Sequence, residues 1–298
     1  MPRSVALVSD STSVHTELAS DLDVIVVPLQ VIIGAKAYDE GTEATPEMVA
    51  TALKGRAPVS TSRPSPEAFL RAYERAAQAG AEAIVSVHLS SEVSGTFESA
   101  ELAAKRASIP VHPVDSRQLG MATGFAVQAA AEALEVGAGA EEAAEVARAR
   151  AAVMTALFYV DTLEYLRRGG RVGVAAAWLG SALAVKPLLK VEDGSIVALE
   201  KVRTSAKAVN RLLELAVSAA QDTDVDVAVS HLANPAGAEA LASQLTQRLS
   251  QLDSVVVTQV GAVIGAHVGP GMLAVVVAPR RAQQLSGGSG SSQPDDSA

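Results

Sequence analysis

Cysteine is absent from the 298 residues, which excludes a disulfide framework, thiolate metal ligands and a thiol nucleophile. Aromatic residues make up only 3% of the chain, although 49% of it is hydrophobic. The core is therefore expected to consist mainly of aliphatic and alanine side chains. A chain of this length can build one large core or two medium ones.

Basic charge and long apolar segments are scarce as well. The 24 basic and 33 acidic residues give a net charge of −9, which argues against nucleic acid as the main partner. No apolar run approaches the roughly 18–20 residues that a membrane span requires. Residues 1–4 lead into a short apolar strand and not into the apolar segment of a signal peptide. We therefore expect a cytoplasmic protein without a membrane span.

Short apolar runs alternate with polar turns and helix starts along the whole chain. Apolar runs such as 5–8 and 83–87 predict strands. Thr45-Pro46-Glu47 and Ser65-Pro66-Glu67 each combine a capping hydroxyl, an early proline and an early acid, which predicts a helix N-terminus. This alternation is typical of α/β proteins, in which ligands bind beyond the carboxyl ends of strands.

The order of these segments fits two α/β domains better than one. We place the N-terminal domain at residues 1–155 and the C-terminal domain at 156–281. A hairpin is predicted at 186–202, around a Glu-Asp-Gly-Ser turn. The tail at 282–298 is low in complexity, rich in Ser and Gly, and expected to be disordered.

The stretch 88–99 concentrates hydroxyl groups between a predicted strand and a predicted helix. Ser90, Ser91, Ser94 and Thr96 fall within seven residues, beside Gly95. A helix N-cap at Ser94 or Thr96 accounts for one of these hydroxyls. The excess of donors, together with the positive end of a helix dipole, indicates a site that holds an anion. Both interpretations stay open at this point.

Motif searches narrow the chemistry of that anion site. Neither the P-loop pattern nor a G-x-G-x-x-G after the first strand occurs, so the two common nucleotide-binding motifs are missing. A G-x-S-x-G elbow is also missing, which disfavours a serine nucleophile. The alternative function is a stand-alone hydrolase or acyltransferase that pairs Ser94 or Ser62 with His267.

Two further loops carry candidate polar residues. The loop 58–65 contains Thr61 and Ser62, neither of which has an evident structural role. His267 lies in a predicted glycine-rich loop, without a second histidine or a carboxylate at the spacing of metal ligands. No metal site is therefore expected.

Arg167, Arg168 and Arg171 fall within five residues on an acidic chain. Such a cluster is usually a solvated helix end whose cations complement the helix dipole. Its density also fits a docking patch for an anionic partner.

Taken together, these segments resemble the DegV family over roughly residues 4–279. The resemblance rests on nine motifs in order: V-S-D-S-T at 8–12, V-P-L-Q-V at 27–31, T-S-R-P-S at 61–65, H-L-S-S-E-V-S-G-T-F at 88–97, V-D-S at 114–116, L-E-Y-L-R-R-G-G-R-V at 163–172, K-P-L-L at 186–189, R-T at 203–204 and G-A-V-I-G-A-H-V-G-P-G at 261–271. Arg63 departs from the pattern, because the family often has Gln there, and it adds positive charge.

The resemblance implies a two-domain α/β protein that encloses one long-chain fatty acid, such as palmitate (hexadecanoate), between the domains. In bacteria such proteins are the non-catalytic, acyl-binding component of a fatty-acid kinase. They present the carboxyl group to a separate kinase subunit related to dihydroxyacetone kinases, and then hold the acyl-phosphate. No cofactor is implied.

The resemblance also assigns roles to residues of this chain. The implied ligand-binding residues are Thr61, Ser62, Ser94, Gly95, Thr96 and His267. The residues implied to face the kinase partner are Arg167, Arg168 and Arg171.

Overall fold

The computed structural model describes residues 4–13, 16–173, 185–220 and 223–280, so the tail predicted at 282–298 lies outside the described residues. The described residues form a mixed α/β fold, which is the class predicted from the sequence. In chain order the elements are β1 (Val5–Asp10), α1 (Thr16–Asp21), β2 (Val24–Val27), β3 (Gln30–Ile33), β4 (Lys36–Asp39), α2 (Pro46–Lys54), β5 (Val59–Ser62), α3 (Pro66–Gln78), β6 (Ala83–His88), α4 (Thr96–Ala104), β7 (Val111–Asp115), α5 (Met121–Glu135), α6 (Ala140–Ala152), β8 (Thr155–Tyr159), α7 (Glu164–Arg168), β9 (Lys186–Glu192), β10 (Ser195–Val202), α8 (Ser205–Ala220), β11 (Val225–His231), α9 (Pro235–Arg248), β12 (Leu252–Gln259), α10 (Ala262–Val268) and β13 (Leu273–Pro279).

The first sheet is parallel and has the strand order β2-β1-β6-β7. Side chains alternate across it, as the pleat requires. Ile84 packs with α3 and α4, whereas Val85 and Val87 pack with α5 and α6. The α5–α6 pair packs largely through alanines, so the aliphatic, alanine-rich core expected from composition is present.

The second sheet has the order β10-β9-β8-β13-β11-β12, and within it only β11 and β12 are parallel among the described pairs. Helices α8 and α9 cover one face through a cluster that includes Leu212 and Leu241. The hairpin predicted at 186–202 is confirmed as β9 and β10. Its turn residues Asp193 and Gly194 have φ angles of 50° and 82°, as an Asp-Gly hairpin turn demands.

The first sheet takes its strands from before residue 116, and the second sheet begins at Thr155. This arrangement agrees with a division near residue 155. The domain boundaries themselves stay a prediction.

The third sheet, of order β4-β3-β5, corrects one expectation. The segment predicted as a loop at 58–65 contains the strand β5, because β3 supplies antiparallel partners for it. Val31 pairs with Thr61, and Gln30 pairs with Ser62. No structural role for Thr61 or Ser62 was evident from the sequence, but a β-branched Thr beside an apolar partner strand suits a sheet.

Helix α10 corrects a second expectation, because the predicted glycine-rich loop at 261–271 is mostly helical. Glycine within this helix serves close packing. A Cβ on Gly265 would lie 3.2 Å from the side chain of Leu232. Gly269 then ends the helix at a φ of 76°, in the left-handed region that favours glycine. His267 therefore lies in the last turn of a helix.

Candidate ligand-binding site

A cavity of about 400 Å³ lies where β5, α10 and the loop after β6 meet. Five of the six residues predicted to bind the ligand line it: Thr61, Ser62, Ser94, Gly95 and His267. Apolar side chains complete its walls, among them Leu29, Leu166 and Ile264. Polar hydrogen-bonding groups and an aliphatic lining thus share one cavity, which is the composition that an amphipathic ligand needs.

Thr61 and His267 are brought together from positions 206 residues apart. Thr61 Oγ1 lies 2.8 Å from His267 Nε2. Burial, together with the nearby cation of Arg171, lowers the pKa of His267 to about 4. The imidazole is therefore neutral at pH 7.

The surroundings of His267 Nδ1 select its tautomer. This atom is buried and has no hydrogen-bond partner among the described residues. A buried N–H without an acceptor is rarer and more costly than an unpaired acceptor. We therefore assign the proton to Nε2, which donates to Thr61 Oγ1. The hydroxyl proton of Thr61 is then free to donate to another acceptor.

Ser94 is held by a neighbour and not used as a helix cap. Helix α4 begins at Gly95 as N-cap, with no side-chain capping bond, so the interpretation of Ser94 or Thr96 as N-cap is wrong. Ser94 Oγ and Thr96 Oγ1 instead lie 2.8 Å apart. Thr96 is fully buried and does not line the cavity. Its hydroxyl orients the Ser94 side chain through this contact.

Gly95 leaves room for a cation. A Cβ on Gly95 would lie 1.5 Å from Nη1 of Arg63, so a side chain at this position would displace the guanidinium from where it lies. Arg63 Nη1 donates to the carbonyl of Gly95 at 3.1 Å and lines the cavity. The residue that departs from the family pattern thus contributes positive charge at the cavity.

The three clustered arginines lie in two different environments. Arg167 and Arg168 are exposed and pair with Glu164. Arg171 instead lines the cavity, where its guanidinium donates to the carbonyls of Val93 and Gly169. The cluster is therefore not one outward-facing patch, since Arg171 lines the cavity.

Sequence reasoning missed the network behind the cavity wall. Asp10 was not predicted to have a role at the site, but its carboxylate is fully buried. It accepts hydrogen bonds from the backbone N–H of Thr12 at 3.1 Å and of Leu89 at 3.0 Å. Thr12 and Leu89 both line the cavity. The position of Asp10 at the carboxyl end of a parallel strand was the available signal.

His88 completes this buried network. Its Nδ1 lies 3.2 Å from Asp10, and its Nε2 lies 2.7 Å from the hydroxyl of Ser86. Burial by itself raises the pKa of Asp10, but hydrogen bonds and charge from His88, with further bonds from Thr12 and Leu89, outweigh it and lower the pKa. Asp10 is therefore ionised at neutral pH.

The geometry does not support the hydrolase alternative. The hydroxyl of Ser94 contacts that of Thr96, and the hydroxyl of Ser62 donates to a backbone carbonyl at 3.4 Å. Among the described residues, neither serine is hydrogen-bonded to His267. A histidine with a pKa of about 4 is also a weak general base at pH 7.

Within the described residues, no three metal-ligating side chains are grouped for a metal ion, and no helix is both long and apolar enough to span a bilayer.

Comparisons with known proteins agree with this picture. A DegV domain-containing protein of Streptomyces coelicolor is 52% identical over 94% of this chain and 100% of its own length. A solved DegV family protein of Thermus thermophilus, described for its fatty acid binding, superposes with a TM-score of 0.87 at 32% identity, covering 93% of this chain and 99% of that one. DegV of Bacillus subtilis, described as a fatty acid binding protein, gives a TM-score of 0.85 at 32% identity, over 93% of this chain and 100% of that one. The model of the DegV family, described as uncharacterised proteins, matches residues 4–280. This chain belongs to the DegV family.

Proposed function

We propose that this protein binds a long-chain fatty acid, such as palmitate, in the cavity and presents its carboxyl group to a separate kinase subunit. The observation that carries the proposal is the meeting of Thr61, Ser94 and His267 in a cavity that also has aliphatic walls. Fatty acid binding by the Thermus and Bacillus relatives supports it.

The head group is held mainly by neutral donors. Thr61, with its proton free, and Ser94, oriented by Thr96, donate to the two carboxylate oxygens. A buried carboxylate is costly unless its oxygens accept such bonds. Arg63 and Arg171 direct hydrogen bonds to backbone carbonyls, so they favour the anion by their charge without forming a bidentate clamp. An oxygen held in this way keeps its ability to attack a phosphoryl group.

The acyl chain provides most of the binding free energy. Burying each methylene contributes roughly 0.8 kcal/mol, so a 16-carbon tail contributes on the order of 10 kcal/mol before the costs of ordering. The aliphatic cavity walls supply the necessary apolar contact. This energy suits a carrier that retains its ligand between encounters.

Phosphoryl transfer is assigned to the partner. The sequence has no P-loop and no dinucleotide fingerprint, and phosphoryl transfer requires a bound nucleotide and its metal ion. We assign both to a kinase subunit related to dihydroxyacetone kinases, in the cytoplasm. The exposed Arg167 and Arg168 are proposed to contact that subunit, and Arg171 to act at the cavity.

Denaturing mass spectrometry of the purified protein tests the ligand. We expect the wild type to release one long-chain fatty acid, and Ser94→Ala to release much less of it. Ser91→Ala is the matched control, because Ser91 lies in the same loop but donates to Asp115 at 2.6 Å and does not line the cavity. Equal lipid content in wild type and Ser94→Ala would remove Ser94 from the head-group site.

A second assay tests the role in phosphorylation. The wild type, mixed with a dihydroxyacetone-kinase-like fatty-acid kinase subunit, Mg²⁺ and ATP, is expected to yield acyl-phosphate, while the protein alone yields none. Turnover without a partner, together with covalent labelling by a serine-directed phosphonate, would instead establish the hydrolase or acyltransferase alternative.

A further inference from the structure

Glu40, just after β4, has a buried carboxyl group that the proposed function does not use. The residue is 5% exposed. One carboxyl oxygen accepts from the hydroxyl of Ser11 at 2.6 Å, and the other accepts from the backbone N–H of Val263 at 2.7 Å. A Cβ on Gly261 would lie 2.3 Å from the same carboxyl, so glycine permits the approach. Glu40 therefore joins segments that are 223 residues apart in sequence.

Val263 lies in the first turn of α10, where backbone N–H groups have no partner within the helix. The N-cap of α10, Gly261, offers no side-chain capping bond. Glu40 supplies that missing acceptor from another part of the chain. Its bond therefore fixes the N-terminal end of α10 against β1 and β4.

Helix α10 contributes both apolar lining residues and the polar side chain of His267 to the cavity. Val263 and His267 are one helical turn apart, so they lie on the same face, and both line the cavity. Ser11 also accepts the backbone N–H of Leu29 at 2.9 Å, and Leu29 lines the same cavity. The Ser11–Glu40–Val263 chain thus connects two of the cavity walls.

We propose that Glu40 is a positioning residue for head-group recognition: it holds α10 where His267 can orient Thr61 toward the ligand carboxylate. This role rests on the proposed function. The contact of His267 with Thr61 is 2.8 Å long, and a hydrogen bond weakens steeply when its groups are displaced. Loss of the anchor at Val263 therefore weakens ligand binding without removing any group that touches the ligand.

The pKa of Glu40 and the charges around it bear on the choice of a conservative replacement. Burial raises its pKa to about 7, the bonds from Ser11 and Val263 oppose that rise, and the negative charge of Asp10 adds to it. Asp10 is the charge that faces it from β1. On its own segment, Asp39 accepts from Gln30 and Glu43 is exposed. In α10, His267 is the sole titratable residue, and it lies at the far end of the helix.

Glutamine therefore replaces Glu40 conservatively. Its amide oxygen accepts the N–H of Val263, and its NH₂ group donates to Ser11. Alanine removes both bonds. The contrast between Glu40→Gln and Glu40→Ala separates loss of the hydrogen bonds from loss of the charge.

Fluorescence titration of the delipidated protein with cis-parinaric acid tests the proposal. We expect Glu40→Ala to weaken binding about tenfold, as loss of a buried hydrogen bond does, and Glu40→Gln to stay within about twofold of wild type. Glu43→Ala is the matched control, because Glu43 lies in the same segment but is exposed. Urea unfolding confirms that each variant is folded.

A double-mutant cycle with Thr61→Val separates positioning from general destabilisation. If Glu40 acts through His267 and Thr61, then Glu40→Ala changes affinity by less than about twofold once the Thr61 hydroxyl is gone. Full additivity of the two changes overturns the proposal. Should Glu40→Ala fail to fold, Ser11→Ala takes its place in the same cycle with the same two outcomes.

Failure of this role is distinguishable from failure of the proposed function. A wild type that binds no parinaric acid and releases no lipid contradicts both. A wild type that binds, with Glu40→Ala folded and binding equally well, contradicts only the role of Glu40.

Discussion

Two histidines of this protein have similar hydrogen bonds but different surroundings. His88 contacts the hydroxyl of Ser86 at 2.7 Å, and His267 contacts the hydroxyl of Thr61 at 2.8 Å. The second nitrogen of His88 faces the carboxylate of Asp10, whereas the second nitrogen of His267 is buried without a partner. The ring of His88 also packs edge-on against Phe69, at 4.9 Å between centroids.

The difference predicts two separate roles for the same residue type. The Asp10–His88 network is closed, because each member is satisfied, and a satisfied buried network makes a region rigid. The Thr61–His267 pair is open and lies beside a cavity, so it retains hydrogen-bonding capacity for a ligand. The first network is thus expected to govern stability, and the second to govern ligand affinity.

Removal of Asp10 should have the largest effect. Asp10→Ala leaves His88 and two backbone N–H groups without their acceptor, and breaking such a buried pair typically costs about 3–5 kcal/mol. Urea unfolding measures the loss. Glu67→Ala is the control, since Glu67 forms an exposed pair with Arg106, and exposed pairs contribute about 0–1 kcal/mol. A loss of similar small size in both variants would show that the His88 network has no special role in stability.

The pH dependence of stability should distinguish His267 from Asp10 next. The pKa of His267 is lowered from 6.5 to about 4, so the unfolded chain binds a proton in this interval that the folded chain does not. The contribution of His267 to stability should therefore be lost as the pH drops from 6.5 toward 4, by up to about 3 kcal/mol. Glu40, whose pKa is raised to about 7, acts in the opposite direction over the same interval, because the folded chain takes up its proton before the unfolded chain does. The pKa of Asp10 is lowered below 3.8, so its contribution is lost only at still lower pH.

Urea unfolding at pH 7 and pH 4.5 measures this difference, and His267→Gln is the comparison variant. The variant keeps Glu40 but lacks the titrating ring, so the change in its free energy of unfolding from pH 7 to pH 4.5 should be more positive than that of wild type. Equal changes in both proteins would show that His267 keeps an ordinary pKa in the folded state.

Replacement of Thr61 should mainly affect the ligand. Thr61→Val removes the hydroxyl that we propose donates to the carboxylate, and loss of a bond to a charged group weakens affinity by about 10- to 100-fold. Thr61→Ser keeps the hydroxyl and should bind close to the wild-type level. Parinaric acid titration measures both. If Thr61→Val binds as tightly as wild type, the Thr61–His267 pair is structural, like the His88 network.

The exposed arginines should have the smallest effect. Arg167→Ala and Arg168→Ala each remove a surface pair with Glu164, so stability should change by less than about 1 kcal/mol. Fatty acid content should stay at the wild-type level, because neither residue lines the cavity. Arg171→Ala, which changes the cavity, is the contrasting variant. Loss of lipid from the Arg167 or Arg168 variants would place the ligand site elsewhere.

Several local features were determined by the sequence alone. The capped helix starts at Thr45 and Ser65 are confirmed, because each hydroxyl accepts the backbone N–H three residues later. The hairpin of β9 and β10 follows from its Asp-Gly turn. Such features depend on neighbours within a few residues, so capping, turn geometry and periodicity are sufficient to predict them. The residues predicted to bind the ligand were identified by resemblance to a family, and five of the six line one cavity in the structure.

Other features were decided only by tertiary structure. Residues 59–62 form a strand because β3, distant in sequence, supplies its hydrogen bonds. Arg171 separates from Arg167 because the fold, and not the local spacing, directs it to the cavity. The pairing of Thr61 with His267, and the difference between His267 and His88, depend on which groups the fold brings within hydrogen-bonding distance. Burial and the identity of distant partners are properties of the folded chain, and short-range sequence patterns do not contain them.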